Sequence, residues 1–493
     1  MTLLKLFFNM NPAVSILCFF LCLGPVVCDR VYVHPFHLFS YNKSSCEKLE
    51  NLTQEEKMFV PISIESQTTP AYDENLRDKT KLETQTLDTK GNQRLSYLKD
   101  LMYVLGVRFY GALKETQKGK NILLSPTNLY GALMSFYLGA SSHTAADLQN
   151  FLGFVPPSGD SDCTSRVDGH KVLLALRTID DLLLSSGAAD LLFTKLSCLF
   201  SAPRVHLSES FVHSLAPSAN DFYARAVDFT KPSQAAELIE SFVWAKGASR
   251  SKNLLTNIDP STTLLFATYI QLKANVKKAS QLRALQEFWI DSSTKILVPM
   301  MSVTGTFQYK SDDSKHFSVI KVPVSENALL VLAQPVDSND LNQIESELSL
   351  HPSSTWLHNL SPRHIKLSLP ELTIESTYDL QELLMNMNLS GLLGKNANLS
   401  KISDDNLTIG KVINKALFKL SDNGVDQPDD LVEENGGSLP LEVTLNKPFL
   451  LAVYEKNSKA MLLFGRVTNP LKGVKSQGLV SEVVDGVERR VNG

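Results

Sequence analysis

The chain has 493 residues, of which 43% are hydrophobic and 20% are charged, a composition typical of a folded globular protein rather than a disordered or fibrous one. Lys and Arg together number 48 and Asp and Glu number 52, so the formal net charge is -4. Because there is no basic excess, the composition predicts no nucleic-acid partner. No segment after residue 28 has the run of about 18 or more apolar residues that spans a bilayer, so no membrane partner is predicted.

Residues 1–28 have the features of a secretory signal peptide. An apolar run covers residues 13–23, and Val26 and Cys28 are small residues at the -3 and -1 positions of a cleavage site. Cleavage after Cys28 makes Asp29 the first residue of the mature chain, which we expect to be secreted and extracellular. An N-terminal membrane anchor is the alternative, and the short apolar run disfavours it.

Removal of the signal peptide leaves three cysteines, which in an oxidising compartment predict one disulfide and one free thiol. Cys198 lies in the apolar, strand-like run 193–200 and is predicted to be a buried thiol. Cys46 and Cys163 lie in polar, turn-rich stretches, so by exclusion they form the disulfide. No Cys/His spacing typical of a zinc site remains, so no metal and no cofactor is predicted.

The mature chain carries several Asn-X-Ser/Thr acceptors for N-linked glycans, which predicts a secreted glycoprotein with these side chains on its surface. The predicted glycosylation sites are Asn42, Asn51, Asn388, Asn398 and Asn406. Asn359 also fits the pattern, but the proline after its Ser361 weakens it. The Asn- and Asp-rich residues 396–406 are expected to form a surface loop.

Helices are predicted mainly in the first half of the chain. Residues 39–92 are polar and without sustained periodicity, so we expect an arm with little fold of its own. From Leu95, apolar residues recur at helical spacing until Gly119 ends the helix. Further helices are predicted to begin after a Ser125 N-cap, at a capping box over 144–147, and over 170–184 and 233–246.

Strands are predicted mainly in the second half, so the order of elements favours an α+β fold. The nearly continuous apolar run 263–272 is typical of a strand that is covered on both faces. Further strands are predicted over 296–301, 305–309, 328–333, 365–369, 443–445, 449–454 and 461–467. Residues 472–493 form a polar C-terminal tail.

Four motifs in this order resemble the serpin family. They are Asn121-Ile122-Leu123-Leu124-Ser125-Pro126, Val298-Pro299-Met300-Met301, Leu369-Pro370 followed by Tyr378-Asp379-Leu380, and Asn446-Lys447-Pro448-Phe449-Leu450 followed by Phe464-Gly465-Arg466-Val467. The resemblance covers about residues 95–471, so we assign a serpin domain to 93–471. It implies a large mixed sheet with surrounding helices, a second and a third smaller sheet, and a flexible N-terminal arm.

Inhibition by a serpin requires the reactive loop to insert into a sheet as a strand after cleavage, which demands small and uncharged residues in its hinge. Here the hinge lies at 421–430, and Gly424 fits it. Pro428 removes a ladder donor, and Asp429 and Asp430 add carboxylates that are costly to bury. We therefore predict a non-inhibitory serpin. The alternative is an inhibitory or ligand-carrying serpin.

Residues 29–38, Asp29-Arg30-Val31-Tyr32-Val33-His34-Pro35-Phe36-His37-Leu38, begin the mature chain and resemble the vasoactive decapeptide of hormone-precursor members of this family. The resemblance implies that renin cleaves Leu38–Phe39. A converting enzyme would then remove His37-Leu38, which leaves the octapeptide 29–36, a vasoconstrictor that controls blood pressure and salt balance. The resemblance also implies that the receptor contacts are Arg30, Tyr32, His34 and Phe36.

The chemistry of these residues agrees with a protease substrate. An aspartic protease binds its substrate extended; Pro35 favours an extended residue before it, and Leu38 and Phe39 offer two large apolar side chains. His34 and His37 could suggest a metal pair, but Pro35 prevents the helix that would align them. No catalytic motif such as a nucleophile elbow or HExxH occurs, so the chain is predicted not to be an enzyme.

Overall fold

The fold is described by a computed structural model. The described residues are 34–50, 57–65, 89–157, 162–185, 191–215, 221–248, 255–312, 316–336, 340–350, 359–422 and 439–471. Within these ranges, no helix is long and apolar enough to cross a bilayer.

Helices concentrate in the first half of the chain, as expected. They are α1 (Lys43–Glu50), α2 (Thr89–Thr116), α3 (Pro126–Gly139), α4 (Ser142–Phe151), α5 (Gly169–Leu184), α6 (Glu209–Leu215), α7 (Pro232–Ala245), α8 (Asn342–Leu350) and α9 (Leu380–Asn386), with 3-10 turns at Pro35–Leu38 and Cys163–Ser165.

The strands are β1 (Met58–Phe59), β2 (Ile62–Ser63), β3 (Ile122–Leu124), β4 (Leu191–Ser201), β5 (Leu207–Ser208), β6 (Asp221–Ala226), β7 (Leu264–Asn275), β8 (Ser280–Gln281), β9 (Gln286–Trp289), β10 (Lys295–Val298), β11 (Met300–Asp312), β12 (Phe317–Pro323), β13 (Ala328–Pro335), β14 (Ser361–Pro370), β15 (Leu372–Asp379), β16 (Ile409–Ser421), β17 (Leu441–Thr444), β18 (Phe449–Glu455) and β19 (Met461–Val467).

Two large mixed sheets organise the described part of the chain. One has the order β15-β16-β7-β4-β6-β2, and the other has the order β17-β14-β11-β12-β13-β18-β19-β3 with β8 beside β11. Two further pairs, β1-β5 and β10-β9, are separate. Helices and mixed sheets pack around one large core and a second, smaller cluster between α7 and the six-stranded sheet, so the predicted α+β class is confirmed.

Inside the six-stranded sheet, β7 and β16 form a parallel pair, in register from Lys411 opposite Leu265 to Ser421 opposite Asn275. β7 is buried along most of its length, because helices cover both faces of the sheet. The N-terminus of α3 contacts this pair. There Asn128 Nδ2 donates to Thr268 Oγ1 at 3.0 Å, and Thr268 Oγ1 donates to Asn414 Oδ1 at 2.8 Å. We call these three side chains the seam clasp.

Most predicted elements are present with shifted ends, but some differ. The helix predicted from Leu95 begins at Thr89. The short helix begins at Ser142 rather than at the predicted capping box, because the Thr144 hydroxyl accepts a hydrogen bond from Asn398 N instead of capping the helix. Several elements were not predicted, among them α1, α6, α8, α9, β6, β12, β15 and β16.

The arm also differs from the expectation of little fold. Its described parts contain α1 and the short strands β1 and β2. β1 pairs with β5, and β2 adds a parallel strand to the outer edge of β6. The apolar side chains of Phe36, Phe39 and Phe59 are buried in the body, so isolated apolar residues rather than a periodic pattern dock this polar segment.

Candidate functional site

The predicted cleavage residues that the structure describes pack against α2, the first long helix of the body. His34, Phe36, His37, Leu38 and Phe39 follow one another through a 3-10 turn and its exit. The signal-peptide residue Cys28, the decapeptide residues Asp29, Arg30 and Tyr32, and Val33 lie outside the described residues.

Pro35 begins a 3-10 turn rather than an extended run. His34 is extended, with φ -58° and ψ 133°, as proline requires of the residue before it. The turn Pro35–Leu38 then closes through His37 N donating to His34 O at 2.9 Å, while Phe36 N donates to His34 Nδ1 at 3.3 Å. Proline suits the first position of a turn because it lacks an N–H and its φ is fixed. The predicted extended run is therefore wrong for the uncut chain.

The carbonyl of the predicted scissile bond is already hydrogen-bonded to the body. Arg94 Nε on α2 donates to Leu38 O at 2.9 Å. A protease must polarise this carbonyl with its own groups and approach it with water. The Arg94 bond therefore has to break before the Leu38–Phe39 bond can be hydrolysed.

The two phenylalanines of the site are anchored in the core. Phe36 and Phe39 are both 0% exposed. The Phe39 ring packs edge-on against Phe154, with centroids 5.5 Å apart, and lies 6.4 Å from the ring of Tyr97. Burial of two aromatic rings stabilises the docked turn. A protease that binds an extended substrate must draw both rings out.

The residues after the predicted scissile bond continue as a short antiparallel bridge to the segment before α5. Ser40 lies opposite Val167, and Phe39 O accepts from Asp168 N at 2.8 Å. Lys171 Nζ donates to Ser40 O at 2.7 Å. These bonds attach the primed side of the site to the body, as Arg94 attaches the carbonyl.

Tyr41 continues this bridge through its backbone. Tyr41 N donates to Arg166 O at 3.2 Å. Burial, and then the nearby Asp168 carboxylate, raise the pKa of the Tyr41 phenol to about 12, whereas the Arg166 charge lowers it. The phenol is therefore neutral at physiological pH and adds no charge to the docked arm.

The predicted disulfide is confirmed and lies close to this bridge. Cys46 in α1 is bonded to Cys163, the two Cα atoms are 5.8 Å apart, and 117 positions separate them along the chain. Cys163 precedes Arg166, whose carbonyl holds the arm, so the covalent and hydrogen-bonded attachments lie next to each other. Cys198 in β4 is buried and is not part of the disulfide, as predicted.

The two histidines of the turn do not converge on a metal. Their ring centroids are 6.2 Å apart and the rings are nearly perpendicular, and His34 Nδ1 accepts a backbone N–H. The described part of the chain contains no group of three His, Cys, Asp or Glu residues that could hold a metal ion. His37 is exposed, so it is accessible for recognition by a partner.

The described glycosylation candidates lie at or near the surface. Asn42, Asn388 and Asn406 are exposed and Asn398 is half-buried, whereas Asn51 lies outside the described residues. Asn359, in the weaker sequon, is exposed as well. Asn42 Oδ1 accepts from Ser45 N at 2.7 Å at the start of α1, a bond that does not use the amide nitrogen to which a glycan would attach. Glycan occupancy at these positions stays a prediction.

Several residues of the site carry no signal in the sequence. Arg94, Tyr97, Phe154, Asp168 and Lys171 come from three segments that are distant from Leu38 along the chain. The helical periodicity predicts α2 but does not single out one arginine on its partly exposed face. These residues are recognised as part of the site only from their contacts with the docked arm in the structure.

The predicted hinge follows β16, and the described part of the chain is interrupted after Asp422. Gly424, Pro428, Asp429 and Asp430 therefore lie outside the described residues. β16 is bonded directly to β7, so no inserted strand separates the two. This is the arrangement expected of an uninserted loop.

A family model described as "Serpin (serine protease inhibitor)" matches residues 101–470. Human thyroxine-binding globulin has a similar structure, with a TM-score of 0.64, 22% identity, and coverage of 76% of this chain and 99% of that one. Uncleaved ovalbumin also has a TM-score of 0.64 at 22% identity and covers 76% of this chain and 100% of its own. The chain belongs to the serpin family.

Within that family, the chain is similar to angiotensinogens. Rat (Rattus norvegicus) angiotensinogen is 41% identical over 90% of this chain and 94% of its own length. The bovine (Bos taurus) protein is 42% identical over 94% and 98%, and the human (Homo sapiens) protein is 39% identical over 93% and 97%. The predicted serpin fold is confirmed, and the prediction that the chain is not an enzyme agrees with these relatives.

Proposed function

We propose that the chain is a secreted peptide-hormone precursor and that renin cleaves it between Leu38 and Phe39. The similarity to angiotensinogens over more than nine-tenths of the chain supports a substrate of renin. The identity and position of the decapeptide in residues 29–38 support the particular bond. The observation that carries the proposal is this ten-residue match directly after the predicted signal-peptide cleavage site, and the docked turn, held by Arg94 at Leu38 O, sets the access to the bond.

The released decapeptide is the substrate of a converting enzyme that removes His37-Leu38. The remaining octapeptide is the ligand of an angiotensin receptor, in which Arg30, Tyr32, His34 and the Phe36 ring with its new carboxylate make the contacts. The boundaries that follow are 1–28 for the signal peptide, 29–38 for the decapeptide, 39–92 for the arm, 93–471 for the serpin domain and 472–493 for the tail.

The body controls access to the cleavage site. In the docked turn, Phe36 and Phe39 are buried and Leu38 O is bonded to Arg94, so renin acts on a form in which the turn has left the body. The Cys46–Cys163 disulfide limits how far the arm moves, because Cys46 lies eight positions beyond Leu38. Reduction of the disulfide therefore changes the rate of cleavage.

Incubation of the secreted protein with renin, followed by mass analysis, tests the proposal. We expect one peptide, residues 29–38, and an otherwise intact body. Leu38→Asp is the control that removes the apolar residue at the bond and prevents cleavage. An arm that stays uncut, or cleavage at another bond, would contradict the proposal.

The serpin body is proposed not to be inhibitory. Pro428, Asp429 and Asp430 in the predicted hinge support this, because proline removes a ladder donor and the two carboxylates are costly to bury. Mixing the protein with serine proteases and denaturing the mixture distinguishes the alternatives. A complex that survives denaturation would indicate an inhibitor, whereas binding of a small hydrophobic hormone without cleavage would indicate a carrier.

A further inference from the structure

We infer that the body remaining after cleavage keeps a binding site for peptides that end in the sequence Phe-His-Leu with a free carboxylate, and that the released decapeptide is its ligand. The inference rests on the proposed cleavage at Leu38–Phe39. The site is the one in which the turn Pro35–Leu38 lies in the uncut chain, between α2 and the bridge at Ser40.

Hydrolysis changes the charge at both sides of the bond. Water adds its hydroxyl to the Leu38 carbonyl carbon and a proton to the Phe39 nitrogen, which at neutral pH yields a carboxylate and an ammonium group. The oxygen that Arg94 Nε binds at 2.9 Å in the uncut chain becomes part of that carboxylate. A hydrogen bond from a charged donor to a neutral carbonyl thereby becomes one between two opposite charges, which is stronger.

Two further hydrogen bonds cross the cut, and both of their donors remain after hydrolysis. Phe39 N and Ser40 N both donate to Phe36 O at 3.0 Å, and in the cleaved protein the Phe39 ammonium offers its donors at the same place. The peptide carboxylate therefore lies between two positive groups, the Arg94 guanidinium and the Phe39 ammonium.

The apolar part of the site is the position of the Phe36 ring. Phe36 is 0% exposed in the uncut chain, so its departure uncovers apolar surface of the body. The body keeps its own side of this surface, because Ser40 remains bonded to Lys171 and Val167, and Cys46 remains bonded to Cys163. Binding of the free peptide loses translational freedom that the intact chain never had, so we expect micromolar affinity.

One consequence concerns the next step of processing. An enzyme that removes a C-terminal dipeptide must bind the free carboxylate of that dipeptide. While Arg94 holds the Leu38 carboxylate, the peptide is not a substrate. The body therefore delays the conversion of the decapeptide at protein concentrations near its dissociation constant.

The test uses the renin-cleaved, disulfide-bonded body and a synthetic decapeptide with a fluorophore at its N-terminus, followed by fluorescence anisotropy. We expect saturable binding, about fivefold or more weaker for the C-terminal amide, because the amide loses the charge. The octapeptide and a decapeptide with Phe36→Ala are expected to bind more weakly as well. Equal affinity for acid and amide, or no binding at millimolar concentration, would overturn the inference.

Two variants of the body complete the experiment. Arg94→Met is expected to reduce the difference between the acid and the amide, because only the Phe39 ammonium then faces the carboxylate. Lys99→Met removes a nearby positive charge on α2 and is expected to leave the difference unchanged. The acid–amide comparison on the unmodified body decides the question even where a variant folds poorly. Failure of renin to cleave would count against the proposed function, whereas cleavage without rebinding counts against this inference alone.

Discussion

The side chain of Arg94 and the carbonyl of Leu38 are 56 positions apart along the chain and 2.9 Å apart in the fold. This hydrogen bond joins the predicted scissile bond itself to the body, because it occupies the carbonyl oxygen that a protease must polarise before water attacks the carbonyl carbon. Every step that frees Leu38 has to break it.

Arg94→Met is therefore expected to increase the rate at which renin cleaves the intact protein. A hydrogen bond from a charged donor contributes about 1.5–3 kcal/mol, and partial exposure favours the lower end, so kcat/KM should rise about fivefold or more. Lys99→Met on the same helix is the matched control and should leave kcat/KM unchanged. A synthetic peptide of residues 29–42 gives the limiting rate without docking. An unchanged rate for Arg94→Met would show that the bond does not limit access.

The disulfide offers a second test, of stability as well as rate. Cys46 and Cys163 close a loop of 117 positions, and Cys46→Ser releases this constraint in the unfolded chain. Chain-entropy arguments set the loss at up to about 5 kcal/mol in the free energy of unfolding. Denaturant unfolding of the variant and of the disulfide-bonded protein measures the loss, and renin kinetics on both measure the effect on the arm. Equal kinetics would contradict the proposed role of the disulfide in positioning the arm.

Thiol counting checks the cysteine assignment independently. Cys198 is 0% exposed in β4, and the other two mature cysteines are paired. We expect no reaction of the native protein, prepared without residues 1–28, with a thiol reagent and one equivalent after unfolding in denaturant without reductant. Cys198→Ala should remove that equivalent. A reactive thiol in the native state would contradict either the pairing or the burial.

The sequence predicts the fold and part of the site for different physical reasons. The long apolar run of β7 and the helical spacing of apolar residues from Leu95 both indicate buried elements directly. The four family motifs then predict the order of the elements along the chain. Short or half-exposed strands such as β6 and β15 have no long apolar run, so the sequence pattern does not predict them. The disulfide follows by exclusion, because only one pairing leaves the apolar Cys198 in the core.

The docked turn could not be predicted in the same way. Pro35 correctly predicts the extended conformation of His34. The residues after Pro35 form a 3-10 turn instead, because the side chains of Phe36 and Phe39 are buried against the body. The surroundings of these rings, like the Arg94 bond, are tertiary features of segments far along the chain. Local propensity therefore gives way to packing at the position where the function is proposed.

A buried ion pair beneath the six-stranded sheet gives a prediction of pH dependence. Asp180 on α5 is 0% exposed and pairs with Lys195 Nζ at 2.7 Å. Burial is the largest influence and raises the pKa of Asp180 above its usual 3.8, although the Lys195 charge lowers it. Lys195→Met leaves the carboxylate without its cation and is expected to cost about 3–5 kcal/mol at pH 7.

The sign of the pH effect follows from the raised pKa. A group that holds its proton more tightly in the folded state stabilises that state most at low pH, and this stability is lost as the pH rises from the unfolded value through the folded one. The cost of Lys195→Met should therefore shrink as the pH falls from 7 toward 4. Urea unfolding at both pH values measures it, and the double variant with Asp180→Leu serves as the control. A pH-independent cost would contradict this account.

The seam between β7 and β16 predicts how the protein responds to cleavage of its reactive loop. Insertion would have to separate strands that are paired from Lys411 to Ser421 and to break the seam clasp, whose two hydrogen bonds are 3.0 and 2.8 Å long. The inserted segment would also bury the carboxylates of Asp429 and Asp430, each at a cost of several kcal/mol. We expect cleavage of the loop to leave the melting temperature of the body unchanged.

A variant separates the two barriers to insertion. Replacing the hinge residues with Pro428→Thr, Asp429→Ala and Asp430→Ala restores a backbone donor and removes both charges while leaving the seam clasp intact. If hinge chemistry is the main barrier, the cleaved variant gains a strand and its melting temperature rises above that of the uncut variant. Calorimetry on cut and uncut samples measures both effects. A rise on cleavage of the unmodified protein would show that its loop inserts, which would contradict the proposal that the body is not inhibitory.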